Sequence, residues 1–184
     1  MKIHELELRI RELEKGAPRE AEKKEQIDIK DLFSLDDSLQ IVRADGKTQL
    51  VRTEAGMTAL AVTKRPVKHI TILNNQGENK PQFVYFGVVD AARVADGKTT
   101  MSDCYMINTS GKGKISGEQW QDYDEPMHSV ILEAERFDIT VESCSMSLMC
   151  DLGRDCCMFP KLPEDYRLVI GVFGQGAVEL ANVE

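Results

Sequence analysis

The sequence predicts an all-β protein, a two-sheet antiparallel β-sandwich carrying a short N-terminal helix. Three observations predict it. From Leu32 onward the apolar residues recur every second position in runs of five to nine. Glycine, asparagine and aspartate separate those runs at short intervals, as in "NNQGEN", "ADGK" and "SGKGKISG". No long 3.6-residue period follows residue 31, which counts against an α/β enzyme fold.

The first 31 residues read differently. Ile3, Leu6, Ile10 and Leu13 step by three and four, placing one apolar stripe on a helix. Glu5 with Arg9 and Glu7 with Arg11 are helix-supporting pairs in the favourable order. Gly16-Ala17-Pro18 stops that helix. A helix of this length is marginal alone in water. Its stripe therefore meets a partner, which is its own domain, another protein, or a second copy that would make a homodimer. Residues 19–31 read as a polar linker, so the expected division is an appendage over 1–31 and a sandwich over 32–184.

Within the sandwich, "LQIVRADGKTQLVRT" reads as a hairpin around Asp45-Gly46. "KHITILNN" and "QFVYFGVVD" are β-branched or aromatic runs that end at turn residues. "FDITVE" alternates Phe137, Ile139 and Val141 against Asp138, Thr140 and Glu142, and "SMSLMC" alternates Met146, Leu148 and Cys150 against Ser147 and Met149. "YRLVIGVFG" and "AVELANV" give the last two strands.

Charge and cysteine usage bound the function. The net charge is −8, nearly all of it in residues 32–184. An acidic body repels phosphate backbones, so neither nucleic acid nor an anionic membrane is an expected partner. No apolar run approaches the roughly 20 residues of a membrane span. Five cysteines, an odd number without a regular framework, fit a reducing cytoplasmic compartment. Three of them crowd "MCDLGRDCCMF". Here Cys150 continues the inward phase of Met146 and Leu148, the segment 151–154 is a turn, and Cys157 shares a face with Phe159 while Cys156 points away. Core thiols are the first reading, a redox-sensitive pair such as Cys150 with Cys157 the second. A metal site is the last, because Cys-x5-Cys-Cys without a nearby histidine matches no usual zinc spacing.

No cofactor fingerprint appears. "GQG" at 174–176 is too short for a dinucleotide loop, and no nucleophile elbow, phosphate loop or His-Glu-x-x-His is present. His4, His69 and His128 are far apart in sequence. The acidic clusters "DLFSLDD" and "DYDEP" read as solvated loops, since a calcium loop wants alternating oxygen ligands around a glycine bend. No enzyme and no cofactor or metal is expected.

The order of segments resembles the SPRY domain family over about residues 39–182. The resemblance is carried by Asp138 opening a strand that runs to Glu142, by Ser147-Leu148, and by the turn at Asp151-Leu152-Gly153. Phe159, Leu162-Pro163 and the closing Val178-Glu179-Leu180 complete it. Upstream, "LQIVRADGKTQ", "VKHITILNN", "VYFGVVD" and "GKGKISGEQW" are similar to the family's opening hairpin and central strands. The chain departs from the family pattern where Ile70-Thr71-Ile72 replaces Trp-Glu-Val and Cys104-Tyr105 replaces Trp-Gly. The resemblance implies a lectin-like (concanavalin-like) two-layer sandwich that binds a protein or peptide ligand through loops at one end.

The loops to watch are 74–80, 90–103, 111–123 and 151–154. Trp120 is the one tryptophan, and Tyr123 follows it in a polar stretch. Such aromatics are binding anchors when exposed and core plugs when folded back. With Tyr105, Asn74, Asn75, Asp90 and Arg154 they form the expected partner-binding set. A carbohydrate-binding sandwich is the alternative, with Trp120 or Tyr105 as stacking platform and Asn74, Asn75 and Gln76 as polar contacts. An enzyme using Cys104 or Cys150 is a third class.

Overall fold

In a computed structural model of the chain, the described residues are 28–74, 80–94, 99–114, 116–122, 131, 133–152, 155–159 and 161–184; for 155–158 the description covers the backbone alone. The N-terminal stripe of Ile3, Leu6, Ile10 and Leu13 lies outside these residues.

Two seven-stranded antiparallel sheets pack face to face. Sheet A contains β1 (Phe33–Leu35), β4 (Ala59–Thr63), β6 (Phe83–Asp90), β7 (Cys104–Asn108), β8 (Lys112–Lys114), β9 (Gln121–Asp122) and β13 (Tyr166–Phe173), in the order β1-β4-β13-β6-β7-β8-β9. Sheet B contains β2 (Leu39–Ala44), β3 (Lys47–Arg52), β5 (His69–Leu73), β10 (Arg136–Glu142), β11 (Ser145–Cys150), β12 (Asp155–Phe159) and β14 (Gly176–Ala181), in the order β12-β11-β10-β5-β14-β3-β2. Short helices α1 (Ile29–Leu32) and α2 (Ala91–Val94) and a 3-10 turn at Met101–Asp103 accompany them.

The core follows from alternation. Val84, Phe86 and Val88 of β6 and Leu168, Ile170 and Val172 of β13 face Ile70 and Ile72 of β5, Phe137, Ile139 and Val141 of β10, and Met146 and Leu148 of β11. Phe86 and Phe137 meet across the sheets with ring centroids 5.0 Å apart. The hairpin of β2 and β3 turns at Asp45 (φ 53°) and Gly46 (φ 76°), the positive pair a two-residue primed turn requires. Gly87 is dictated by packing, because a Cβ there would stand 1.9 Å from the Tyr105 carbonyl oxygen of β7.

Sheet A also buries apolar residues on its outer face. Leu60, Val62, Val89, Cys104, Met106 and Val169 form a second cluster there, with Tyr85, Val94, Met101 and Trp120 packed against it. The wholly buried β4 contributes to both clusters, one on each face of sheet A, so it reads ALAVT without alternation.

Three expectations change in detail. "DLFSLDD" is not a solvated loop: Leu32 and Phe33 are in the core, and Asp36 Oδ2 accepts the Leu60 amide at 2.7 Å. Residues 28–31 already touch the sandwich, since Asp28 caps α1, its Oδ1 pairs with Arg43 Nη2 at 2.6 Å, and Ile29 packs on the core. Finally, the ladder of β11 and β12 shifts between Met146 and Ser147, pairing Phe159 with Met146 but Cys157 with Ser147 and Cys156 with Leu148. An extra residue in the ladder breaks the unbroken alternation expected from Cys157 to Phe159. The side chains of Cys156 and Cys157 lie outside the described residues.

Candidate functional site

The antiparallel register gives the sandwich two ends. One carries the 53–58 loop, the end of β5 at Asn74, the Thr109–Gly111 turn, Asp151 and Leu152, and the Gly174-Gln175 turn. The other carries the Asp45-Gly46 turn, α2, the 3-10 turn and the Ser143-Cys144 turn.

The first end is assembled around Arg52. It shares the inward phase of Leu50, and its Nη1 donates to the Val172 carbonyl at 2.8 Å, tying sheet B to sheet A. Its Nε is buried and has no acceptor among the described residues. Asn74 lies at the same end. Its amide donates to the Glu135 carbonyl at 2.8 Å, and its buried Oδ1 has no donor among the described residues. Buried polar atoms are ordinarily paired, so two exceptions at one end mark it. Gln175 Nε2 donates to the Thr53 carbonyl at 2.7 Å, bridging the two loops. Between them opens a shallow cleft of about 390 Å³ lined by Gln49, Val51, Arg52, Thr53, Gln175, Gly176 and Ala177. Of the four large apolar side chains exposed among the described residues, three are at or beside this end: Met57 is 86% exposed, Leu152 50% and Met149 49%.

The residues singled out in the sequence do not converge. Asn74 joins the first end, while Asn75, Tyr123 and Arg154 lie outside the described residues. Asp90 is at the opposite end, where its Oδ1 accepts the Ala92 amide at 2.8 Å and opens α2. Tyr105 faces inward, edge-on to Phe159 with centroids 6.0 Å apart. Trp120 lies half-buried on the outer face of sheet A. Its ring is tilted against Tyr85 at 5.5 Å, and the Lys114 ammonium sits 5.8 Å from its centroid. Desolvation of that ammonium lowers the Lys114 pKa. Pattern reading missed Arg52, Met57 and Gln175, and reached Leu152 only as part of the 151–154 loop. Met57 alone left a signal, a large apolar residue in the polar "RTEAGMT".

Cys104 and Cys150, the two candidate nucleophiles, are both buried. Burial pushes the Cys104 thiol up to about 12, and its Sγ donates to the Thr100 carbonyl at 3.3 Å. It stays protonated at neutral pH and is a weak nucleophile. Cys150 is buried among the core residues, and His69 Nδ1 is 3.2 Å from Thr140 Oγ1. Among the described residues no three His, Cys, Asp or Glu side chains group to hold a metal, and no helix is long and apolar enough to cross a membrane.

With two seven-stranded sheets in this order, the chain is similar to the NEUZ (NHR) domain in Neuralized from Drosophila melanogaster. The TM-score is 0.52 at 16% identity, over 82% of this chain and 90% of that one. The fold is SPRY-like. The chain is also similar to the SPRY domain of human HERC1 (TM-score 0.48, 11% identity, 82% of this chain and 96% of that one). A sialidase is similar as well (TM-score 0.47, 11% identity), with 83% of this chain matching 16% of the sialidase chain. The Neuralized likeness carries the assignment, and at that identity it carries the fold alone. No family model matches the chain, and no curated protein matches it in sequence.

Proposed function

We propose that this SPRY-like sandwich is a protein-interaction module that binds a peptide or protein through the end built around Arg52 and Asn74. The observation that carries the reading is the coincidence at one end of a cleft, three exposed large apolar side chains and two buried polar atoms that find no partner among the described residues. An extended segment would seat an apolar side chain against Met57 and present carbonyl or carboxylate oxygens toward Arg52 and Gln175. Donors fixed on a rigid frame give specificity, and apolar contact gives affinity. Arg154 and Asn75, two residues after Leu152 and one after Asn74 in the sequence, stay candidate contacts of this reading. Trp120 would act as a separate flank.

A random-peptide display selection and a glycan array, run on the same purified chain, test the proposal. Enriched peptides whose binding is lost in Met57→Asp and Leu152→Asp but kept in Trp120→Ala support it. Glycan binding sensitive to Trp120→Ala, with no enriched peptide, would replace it with the carbohydrate-binding alternative.

A further inference from the structure

Four strands end the two sheets, and three of them are poor templates for another strand. β1 has three residues and β9 two, and β12 carries the register shift opposite Met146 and Ser147. β2 differs. It has six residues, pairs with β3 from Leu39 to Ala44 without a shift, and contains no proline. A long, regular edge is the kind that proteins ordinarily blunt.

The tight turn fixes which backbone groups are free. A two-residue primed turn closes on a hydrogen-bonded pair, here Ala44 with Lys47, and such pairs alternate along the ladder. Ala44, Val42 and Gln40 therefore spend their amides and carbonyls on β3. Leu39, Ile41 and Arg43 point theirs away from it. The Leu39 amide donates instead to the Asp36 carbonyl at 2.9 Å, which agrees with this phase. Among the described residues, the amides and carbonyls of Ile41 and Arg43 are left as an open edge.

We propose that β2 is the pairing edge for a second copy of this chain, in an antiparallel two-fold ladder centred on Val42. That register places Ile41 of each copy opposite Arg43 of the other, so all four open groups of each strand are used. It also sets the two Val42 side chains face to face in a non-hydrogen-bonded pair, with Cα atoms about 4.5 Å apart. Val42 is the fourth exposed large apolar residue of the described chain, 37% exposed, and its ladder partner Gln49 borders the cleft. A second copy sets a like apolar side chain against it. Asp28 neutralises Arg43 at 2.6 Å, which removes the charge that would otherwise guard this edge. An isologous contact of this kind closes on itself and builds a dimer, not a fibre.

Sedimentation of the full-length chain across a wide concentration range tests the proposal, with unfolding curves as a fold control. The wild type should show a monomer–dimer equilibrium. Val42→Lys sets two ammonium groups opposite each other and should weaken the dimer about tenfold or more. Arg43→Pro removes an amide that β3 does not use and should do the same, while Arg43→Ala keeps the amide and should keep the dimer. A wild type that is monomeric throughout overturns the proposal. So does a dimer indifferent to Val42→Lys and Arg43→Pro; if that dimer vanishes on removal of residues 1–27, the contact belongs to the stripe of Ile3, Leu6, Ile10 and Leu13. Loss of the dimer in Arg43→Ala as well would show that the Arg43 side chain, not the backbone ladder, makes the contact, and would overturn the proposal.

Discussion

Gly87, Asp138 and Trp120 show how much single side chains decide here. Gly87→Ala would drive a methyl into the Tyr105 carbonyl, which belongs to a neighbouring strand and cannot swing aside. Overpacking costs typically 1–3 kcal/mol and more against backbone, so urea unfolding of the variant should show a loss of about 3 kcal/mol. Asp138 lies on the outer face of sheet B. Burial alone would raise its pKa, but hydrogen bonds from Arg136 Nε (2.8 Å) and Thr71 Oγ1 (2.5 Å) outweigh burial and hold it below the usual range. A depressed carboxylate stabilises the fold above its unfolded pKa of about 3.9, and that contribution disappears as pH falls through the folded value. Asp138→Asn should therefore lower stability at neutral pH and flatten the acid limb of stability against pH. Trp120→Ala should cost about 2 kcal/mol, below the 3–5 typical of a fully buried aromatic, because only part of the ring covers the outer cluster. A melting curve gives this number, and unchanged peptide binding in the same variant would keep Trp120 outside the site.

Elements carry the next level of specification. The β2–β3 hairpin depends on its turn. Gly46 has φ 76° and open space around its Cα, so Gly46→Ala meets no atom and pays only the backbone cost of a positive φ, about 1 kcal/mol. A loss near that size in denaturant unfolding, with intact β-type circular dichroism, would isolate the turn's conformational contribution. A much larger loss would show that the hairpin register itself had failed. Cys104 behaves as an element of the outer cluster and not as a reactive thiol. Iodoacetamide at neutral pH should label it only after unfolding, because burial holds its pKa at about 12.

At the scale of the whole molecule, the ladders of both sheets close within residues 33–181. Asp28 and Ile29 add a cap, an ion pair and an apolar contact at the entry to the sandwich. A chain beginning at residue 28 should therefore melt with the full-length protein, whereas one beginning at residue 32 should melt a few degrees lower. Equal melting of the two truncations would make the contacts of residues 28–31 energetically silent and leave the division at 31/32 in place.

The sequence by itself determined that this is a two-sheet β-sandwich, which strands alternate toward the core, and where the hairpin of Asp45-Gly46 turns. These properties are written in neighbouring residues: period two in apolarity selects a strand face, and Asp-Gly tolerates positive φ. It also placed Cys150 correctly beside Met146 and Leu148. The strand Ala59–Thr63 left no such signal, because a strand buried on both faces has no polar phase to alternate with. Only the tertiary structure decided the site. Asn74, Asp90, Tyr105 and Trp120 all stood next to turn-like sequence, yet strand order sends them to one end, the other end, the interior and an outer face. Arg52 looked like one more polar residue at a strand terminus. Its burial against the Val172 carbonyl depends on a strand 120 positions away, and a contact of that separation is set by sheet order, which no local pattern encodes.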